Sequence, residues 1–311
     1  MKKYFKSVLI LFSLCFSFLA NAQFYPGNVK NLKRDVVVLV PGFFNSLAPS
    51  IPAPNESGNP WKDPYFSRSI SAAIQAQGFD VYVVNNLKPI GGIAVNGELL
   101  IHFLTSIQSK LRADQKMYLV CHSAGGLYSL YASGKTNLPI TKIVTISTPY
   151  SGLRFLDNVE DFASKIDYLL QWISLGNLLE LNRKNITDFM NKLKVPDDLS
   201  VQVYGGFQSP GLLWFDAKQL SSVLMVTDAL GGDTASDGIV TWDSAFAVKN
   251  FISKSGRNIT PKLMKDYAHL EHWEQVVDHR LFFPLGVLNL DYIKREQDRF
   301  YAQLAQNLVL Q

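Results

Sequence analysis

Short apolar runs alternate with polar, helix-like segments through the first two thirds of the chain. The runs have the length and branched side chains of strands buried on both faces of a sheet. They cover residues 36–40, 81–84, 117–120, 143–146 and 201–204. Segments with helical spacing lie between them, at 67–77, 98–111 and from 125 to about 133. This alternation predicts an α/β fold with a mostly parallel central sheet and helices on both faces.

The pattern changes after the strand at 143–146. Residues 153–193 lack strand-like runs, show helical spacing and are rich in apolar side chains. Because the segment follows the carboxyl end of a strand, we expect a helical lid or cap insertion over about 153–198. The simpler alternative is a pair of helices packed beside the sheet. A last surface helix is predicted over 291–308.

The first 22 residues have the pattern of a secretory signal peptide. A basic start is followed by an apolar run over 7–19 and by the small-x-small sequence Ala20-Asn21-Ala22. The run is short for a membrane span, so cleavage before Gln23 is favoured over an uncleaved anchor. We expect residues 1–22 to be removed and 23–311 to form one domain that is secreted or periplasmic.

Charge and cysteine content limit the classes of partner. The formal net charge is +4, and removal of the three lysines of the signal peptide leaves it near +1. There are no long basic runs, so a nucleic-acid partner is not expected. Cys15 would be lost with the signal peptide, leaving Cys121 alone, which excludes an internal disulfide in the mature chain.

The clearest chemical signal follows the run at 117–120. Cys121-His122-Ser123-Ala124-Gly125 stands between a buried strand and a helix, the context that a nucleophile elbow requires. Such a turn exposes the hydroxyl of Ser123 above the sheet. Cys121 occupies the position that is usually the first glycine of G-x-S-x-G. The alternative, a serine that merely caps a helix, does not need this strand.

A nucleophilic serine needs a general base and an acid that orients it. In this type of fold the acid and then the histidine follow the serine in the chain. His269 and His272 lie at the expected place, and we favour His269 because it is the first residue suited to a loop after the last strand. His272 is the alternative. For the acid, Asp237 in an Asp-Gly turn is the best candidate.

Some candidates are weaker. Asp233 and Asp243 flank the favoured acid and are fallback choices, and an Asp-Gly pair can be a plain turn. His102, His122 and His279 are expected to be structural.

Acyl transfer also needs donors for an oxyanion. The backbone N–H of Ala124, directly after the nucleophile, is one candidate, and that of Phe43, after the first strand, is the other. The side chains of Phe44 and Trp172 would line an acyl-binding surface. As an alternative, Phe43 and Phe44 simply close the core.

Together these segments resemble the bacterial true lipases of the Pseudomonas and Burkholderia type. The similar segments occur in the family's order along the chain. They are the oxyanion loop at 38–42, the elbow at 122–126, the stretch after the next strand at 147–152, the acid at 237–240, the base at 269–271 and the last helix at 292–308. The resemblance implies the α/β-hydrolase fold with Ser123, Asp237 and His269 as its triad. Pro41 departs from the family, which has a histidine there, and the cysteine pair of many relatives is absent.

The resemblance also implies a structural calcium near the catalytic histidine. Glu271 and Gln275 match two of its ligand positions, but the remaining aspartate has no clear counterpart. Asp228 is nearby, while Met225 is closer to the expected place. Calcium therefore stays an alternative, and we assign no metal ligands and no required cofactor.

These observations predict a serine carboxylic-ester hydrolase that acts through an acyl-enzyme. The apolar lid indicates acyl-ester or lipid substrates and contact with a lipid interface. Lipase, carboxylesterase and phospholipase activity all remain open. The alternative is an exported lipid-binding or interaction protein that has kept the fold and lost turnover.

Overall fold

The computed structural model describes about three fifths of the chain. The described residues are 34–43, 65–89, 91–157, 177, 179–206, 237, 239–264, 270, 272, 274–276 and 290–309. The predicted signal peptide, Phe44, Trp172 and His269 lie outside this set.

A six-stranded parallel sheet forms the centre of the protein. The strands are β1 (Val36–Val40), β2 (Asp80–Val83), β3 (Met117–His122), β4 (Ile140–Ile146), β5 (Ser200–Tyr204), β6 (Phe251–Ile252), β7 (Asn258–Ile259) and β8 (Lys262–Leu263). The strands of the parallel sheet have the spatial order β2-β1-β3-β4-β5-β8. A separate antiparallel pair is formed by β6 and β7.

Helices connect these strands and follow the last of them. They are α1 (Arg68–Gln75), α2 (Ile93–Gln108), α3 (Gly125–Lys135), α4 (Arg183–Lys192), α5 (Trp242–Ala245) and α6 (Leu290–Val309), with a 3₁₀ turn at Arg154–Leu156. Among the described helices, none is long and apolar enough to cross a membrane.

Side chains of the central strands alternate between two separate cores. In β1, Val36, Val38 and Val40 belong to one cluster, while Val37 and Leu39 belong to the other. The first cluster includes residues of α2 and α3, and the second includes residues of α1 and α6. Both faces of the sheet are thus covered, as the continuous apolar runs predicted.

The carboxyl ends of β1, β3 and β4 meet at one edge of the sheet, because the three strands are parallel neighbours. Val40 is paired with Cys121, and His122 is paired with Ile146. The segments after these strands therefore begin side by side. This is where open α/β sheets carry their sites.

The predicted lid is only partly described. Residues 158–176 lie outside the described set, and α4 forms within the later part of the predicted insertion. The two sides of the gap are joined, because the N–H of Leu153 donates to the carbonyl of Leu181 at 2.7 Å. Asp157 also pairs with Arg183. Whether the insertion covers the site stays a prediction.

Candidate active site

Ser123 stands on a sharp turn between β3 and α3. Its φ is 55°, in the left-handed region that residues other than glycine rarely adopt. Two hydrogen bonds hold it there. Its N–H donates to the carbonyl of Ile146 at 2.9 Å, and its carbonyl accepts from Oγ1 of Thr148 at 2.8 Å. A strained serine fixed in this way at the end of a buried strand is the geometry of a nucleophile elbow.

Glycines let neighbouring segments approach this turn closely. A Cβ on Gly125 would lie 2.4 Å from the carbonyl oxygen of Val40, and one on Gly126 would lie 2.2 Å from Oγ1 of Thr148. A side chain at either position would push α3 away from the sheet. The elbow sequence is therefore required by packing as well as by the turn.

Cys121 fits where a glycine is more usual. Its side chain is fully buried, and its Sγ lies 3.0 Å from Oγ of Ser129 in α3. Burial raises the pKa of the thiol to about 12, so it stays neutral. The cysteine packs beneath the elbow as a small neutral side chain.

Asp237 and His272 form a buried pair. The Nδ1 atom of His272 lies 2.8 Å from Oδ2 of Asp237, and the residues are 3% and 1% exposed. The N–H of His272 also donates to the carbonyl of Asp237 at 2.9 Å. The contact fixes the orientation of the imidazole, as the acid of a catalytic triad does.

The remaining acceptor positions of Asp237 are also used. Its Oδ1 accepts the N–H groups of Ile239 at 3.1 Å and Val240 at 2.8 Å, and its Oδ2 also accepts Nε2 of Gln275 at 3.0 Å. Burial alone would raise the pKa of this carboxyl. The adjacent His272 and these hydrogen bonds outweigh burial and lower the pKa to about 2. Asp237 is therefore ionised at neutral pH.

This network favours His272 over His269 as the partner of Asp237. The favoured sequence candidate, His269, lies outside the described residues. Oδ2 of Asp237 already accepts from His272 and Gln275, while Oδ1 is occupied by two backbone groups. A second imidazole would have to displace one of these donors.

The two fallback acids differ in what the structure describes. Asp243 is exposed in the first turn of α5, and Asp233 lies outside the described residues. Asp237 stays the predicted acid.

His122 links the elbow to the buried pair. It is fully buried, and its ring centroid lies 4.4 Å from that of His272. The imidazole of His272 is therefore beside the residue that precedes Ser123. Burial, followed by the proximity of His272, lowers the pKa of His122 well below its ordinary value. His122 stays neutral, which suits the structural role expected for it.

The predicted oxyanion donors lie on both sides of the elbow. Ala124 is fully buried at the start of α3, and Phe43 is 6% exposed after β1. Gly42 packs directly on the nucleophile turn, because a Cβ added to it would lie 2.7 Å from Cβ of Ser123. The loop after β1 and the start of α3 are thus in contact. Phe44 and Trp172 are not among the described residues, so the acyl-binding surface stays a prediction.

The side-chain amide of Gln275, one of the positions that matched a calcium ligand, is hydrogen-bonded within the site. Its Oε1 accepts a hydrogen bond from Oγ of Ser147 at 2.9 Å, while its Nε2 donates to Asp237. Calcium binding stays an alternative from the sequence. Glu271, Asp228 and Met225 lie outside the described residues. Among the residues that are described, no group of three or more acidic, histidine or cysteine side chains is arranged to hold a metal.

Two site residues were missed in the sequence. Tyr65 contacts both Gly42 and His122, but it belongs to no sequence motif. Ser147 supports Gln275, and its φ of 50° marks a second tight turn after a strand. Ser147 could have been suspected from its place at the carboxyl end of β4. Tyr65 could not.

Comparisons with known sequences agree with the resemblance over part of the chain. Triacylglycerol lipases from Pseudarthrobacter phenanthrenivorans and Burkholderia plantarii are each 32% identical to it over 94 residues. These residues are 30% of this chain, and they span only 29% and 26% of the two relatives. No family model matches the sequence.

Solved structures match nearly the whole chain. A metagenomic carboxyl esterase superposes with a TM-score of 0.60 and 14% identity, covering 98% of this chain and 92% of its own. The lipase of Staphylococcus hyicus has a TM-score of 0.60 and 13% identity, with coverage of 92% and 98%. The mature Bacillus licheniformis lipase has a TM-score of 0.51 and 18% identity, with coverage of 85% and 96%.

The parallel sheet and the elbow at the end of its third strand define the α/β-hydrolase fold. The predicted fold class is confirmed by these superpositions. Within that fold, the predicted similarity to bacterial lipases is also confirmed, in sequence over 94 residues. The two sequence relatives are named as triacylglycerol lipases, and the superposed structures are named as a carboxyl esterase and two lipases.

Proposed function

We propose that the protein is a serine carboxylic-ester hydrolase whose triad is Ser123, His272 and Asp237. The proposal rests above all on the buried contact between Asp237 and His272, beside an elbow with a strained serine. His272 takes the place that the sequence argument gave to His269. The 4.4 Å separation between the rings of His122 and His272 supports this, because it puts the base next to the elbow.

In the proposed reaction, Nε2 of His272 takes the proton of the Ser123 hydroxyl as its oxygen attacks the ester carbonyl. Asp237 is ionised and accepts the Nδ1–H of His272, so it stabilises the imidazolium that forms. Collapse of the tetrahedral intermediate expels the alcohol, which receives the proton from His272. The product of this half-reaction is an acyl ester of Ser123.

Water completes the cycle. His272 removes a proton from the water molecule as it attacks the acyl-enzyme, and then returns the proton to Ser123 as the carboxylic acid leaves. Each half-reaction develops negative charge on the carbonyl oxygen. The N–H groups of Ala124 and Phe43 are the proposed donors to it, since they follow the nucleophile and β1 respectively. This chemistry needs no cofactor.

The proposed substrates are acyl esters of lipid type. The curated relatives are named triacylglycerol lipases, and two structural neighbours are named as a carboxyl esterase and a lipase. The apolar side chains of the predicted lid, including Trp172, would contact the acyl chain or a lipid interface. Phospholipase activity is a further candidate of the same chemistry. The dependence of turnover on acyl chain length separates lipase from esterase activity, and hydrolysis of a phospholipid tests the third possibility.

Export is also part of the proposal. The basic start, the apolar run and the Ala-Asn-Ala sequence predict cleavage before Gln23 and a secreted or periplasmic protein. N-terminal sequencing of the protein recovered from outside the inner membrane of a bacterial host tests it. A chain that still begins at Met1 would contradict cleavage.

The decisive test compares wild type with Ser123→Ala on p-nitrophenyl esters of short and long acyl chains. We expect turnover by wild type, loss of at least about 10³-fold in the variant, and labelling of wild type alone by a fluorophosphonate probe. Folded wild type that hydrolyses no ester and takes up no probe would instead indicate the lipid-binding alternative.

A further inference from the structure

One tyrosine hydroxyl joins the oxyanion loop to the elbow. The N–H of Gly42 donates to Oη of Tyr65 at 2.9 Å, and the same Oη lies 2.7 Å from Nδ1 of His122. Gly42 belongs to the loop after β1, and His122 is the last residue of β3. All three residues are buried. The hydroxyl therefore bridges two segments whose separation determines where an oxyanion can bind.

The N–H of Gly42 can only donate, so Oη of Tyr65 accepts that hydrogen bond. The contact between Oη and Nδ1 of His122 is a hydrogen bond in either imidazole tautomer, because the phenol can donate to a bare Nδ1 or accept from a protonated one. Burial raises the pKa of Tyr65 far above its ordinary value and lowers that of His122 well below it. The phenol and the neutral imidazole thus persist across the working pH range.

The backbone around Tyr65 is itself fixed. Phe66 has a φ of 56°, a strained value for a bulky residue. The next residue, Ser67, donates its N–H to the carbonyl of Val276 at 3.1 Å. Val276 follows Gln275 in the segment that carries His272. Tyr65 is therefore anchored to the part of the protein that also holds the proposed base.

Gly42 contacts both Tyr65 and the nucleophile turn. Its Cα packs on Ser123 so closely that a Cβ would also lie 3.1 Å from the N atom of Ala124. Pro41 has no N–H, so Gly42 has the first backbone donor of the loop after β1. Fixing that donor on Tyr65 orients the peptide that leads to Phe43, whose N–H is the proposed oxyanion donor.

We propose that Tyr65 is a positioning residue that holds the oxyanion loop against the elbow through Gly42 and His122. It contacts neither the substrate nor the reacting atoms. The proposal rests on the ester-hydrolase function proposed above. It adds a requirement, that the hydroxyl of Tyr65 is needed to stabilise the tetrahedral intermediate.

The test begins with Tyr65→Phe, which removes the hydroxyl and keeps the ring. We expect kcat for a p-nitrophenyl ester to fall about tenfold while KM changes less than about twofold, since the intermediate is affected more than bound substrate. Affinity for a boronic acid that forms a tetrahedral adduct with the serine should fall by a similar factor. The ratio of kcat between wild type and Tyr65→Phe should be the same from pH 6 to 9, because neither Tyr65 nor His122 titrates in that range.

Tyr301→Phe is the matched control. Tyr301 is fully buried and lies close enough to Tyr65 for that residue to contribute to its raised pKa. Its hydroxyl has no hydrogen-bond partner among the described residues. We expect its kcat and its boronic-acid affinity to equal those of wild type. An equal loss in both tyrosine variants would mean that any change in this core lowers activity, which would overturn the positioning role.

A second pair of variants tests the same bridge from its other end. His122→Asn keeps an amide that can donate to or accept from Oη of Tyr65, whereas His122→Leu has the same number of side-chain heavy atoms as the Asn variant and cannot form a hydrogen bond. We expect His122→Leu to show the kcat loss of Tyr65→Phe and His122→Asn to retain several-fold more activity. Equal activity of the Asn and Leu variants would overturn the proposal, and this comparison also decides it if Tyr65→Phe does not fold.

Failure of the proposal is distinct from failure of the proposed function. If wild type hydrolyses esters and Tyr65→Phe has the same kcat and inhibitor affinity, only the positioning role is lost. If wild type is inert and Ser123 takes up no fluorophosphonate, the hydrolase function itself is lost. A purely structural role of Tyr65 would lower the unfolding midpoint and leave kcat of the folded variant unchanged.

Discussion

Oδ2 of Asp237 accepts a hydrogen bond from Nδ1 of His272, and these two atoms are 2.8 Å apart. Both side chains are almost completely buried. An imidazole oriented in this way presents its other nitrogen away from the carboxylate. Together with the adjacent His122, the contact defines where a base would act. The proposed mechanism therefore depends on two residues that lie 35 positions apart in the chain.

Replacement of His272 should abolish catalysis. We expect His272→Ala to lower kcat/KM by about 10³-fold or more, because the serine would lose its general base. His269→Ala is the control and should keep most of the activity, since the acceptor atoms of Asp237 are occupied by other donors. Ester hydrolysis by the two purified variants, with circular dichroism to verify folding, measures this. The reverse order of activities would restore His269 as the base.

Asp237→Asn should lower kcat by about 10²- to 10⁴-fold with a smaller effect on KM. An amide cannot stabilise the imidazolium, and its NH₂ group favours the wrong tautomer of His272. Asp243→Asn, an exposed neighbour on α5, is the matched control and should be fully active. Steady-state kinetics of both variants decide the matter. Equal activities would exclude Asp237 as the acid.

The ionised state of Asp237 should also affect stability at low pH. Its pKa is about 2 in the folded protein against an ordinary value of 3.8, so the folded state favours the carboxylate. That contribution, about 2 kcal/mol, is present above about pH 4 and is lost as the pH falls towards 2. Denaturant unfolding of wild type and Asp237→Asn between pH 6 and 2 measures it. The free energy of unfolding of wild type should fall more steeply with decreasing pH than that of the variant. Parallel plots of the two unfolding free energies against pH would contradict the prediction.

Gln275 offers a separate test of the network around the acid. Gln275→Glu would bring a second buried carboxyl to within hydrogen-bond distance of Oδ2 of Asp237. Two neighbouring carboxylates disfavour each other's charge, so the pKa of the pair should rise and activity should be lost at a higher pH on the acid side. The pH profile of kcat measures this shift. Gln306→Glu, on the exposed face of α6, should leave the profile unchanged.

The strands were predictable because burial on both faces leaves a continuous apolar run. The run at 36–40 is β1 itself, and those at 117–120 and 143–146 fall within β3 and β4. Helix α2 was placed too late, at 98 instead of Ile93. Its second turn begins with Gly97, a weak helix former, and its first N–H is capped by the carboxylate of Glu180 at 2.7 Å. A contact across 87 residues leaves no local trace in the sequence.

The candidate site likewise combines residues that local sequence predicts with residues that only distant contacts identify. Ser123 could be predicted because an elbow needs a strand, a turn and a helix that are contiguous in the chain. His269 and His272 are both compatible with a loop after the sheet, and only the contact with Asp237 distinguishes them. Tyr65 was missed for the same reason: its partners, Gly42 and His122, are adjacent only in the folded protein.

Gly42→Ala should impair catalysis while the protein still folds. The new Cβ would lie 2.7 Å from Cβ of Ser123 and 2.9 Å from the carbonyl oxygen of His122, so the loop must move away from the elbow. A displacement of this size separates Phe43 from the place where the oxyanion forms, and we expect kcat to fall about 10²-fold.

Gly78→Ala is the control for this substitution. Its added Cβ meets no atom within 4 Å, but its φ of 94° disfavours alanine. That variant should therefore lose about 1 kcal/mol of stability and keep its kcat. Measuring kcat beside the free energy of unfolding separates the two effects. An active Gly42→Ala would show that the loop after β1 does not determine the geometry of the oxyanion site.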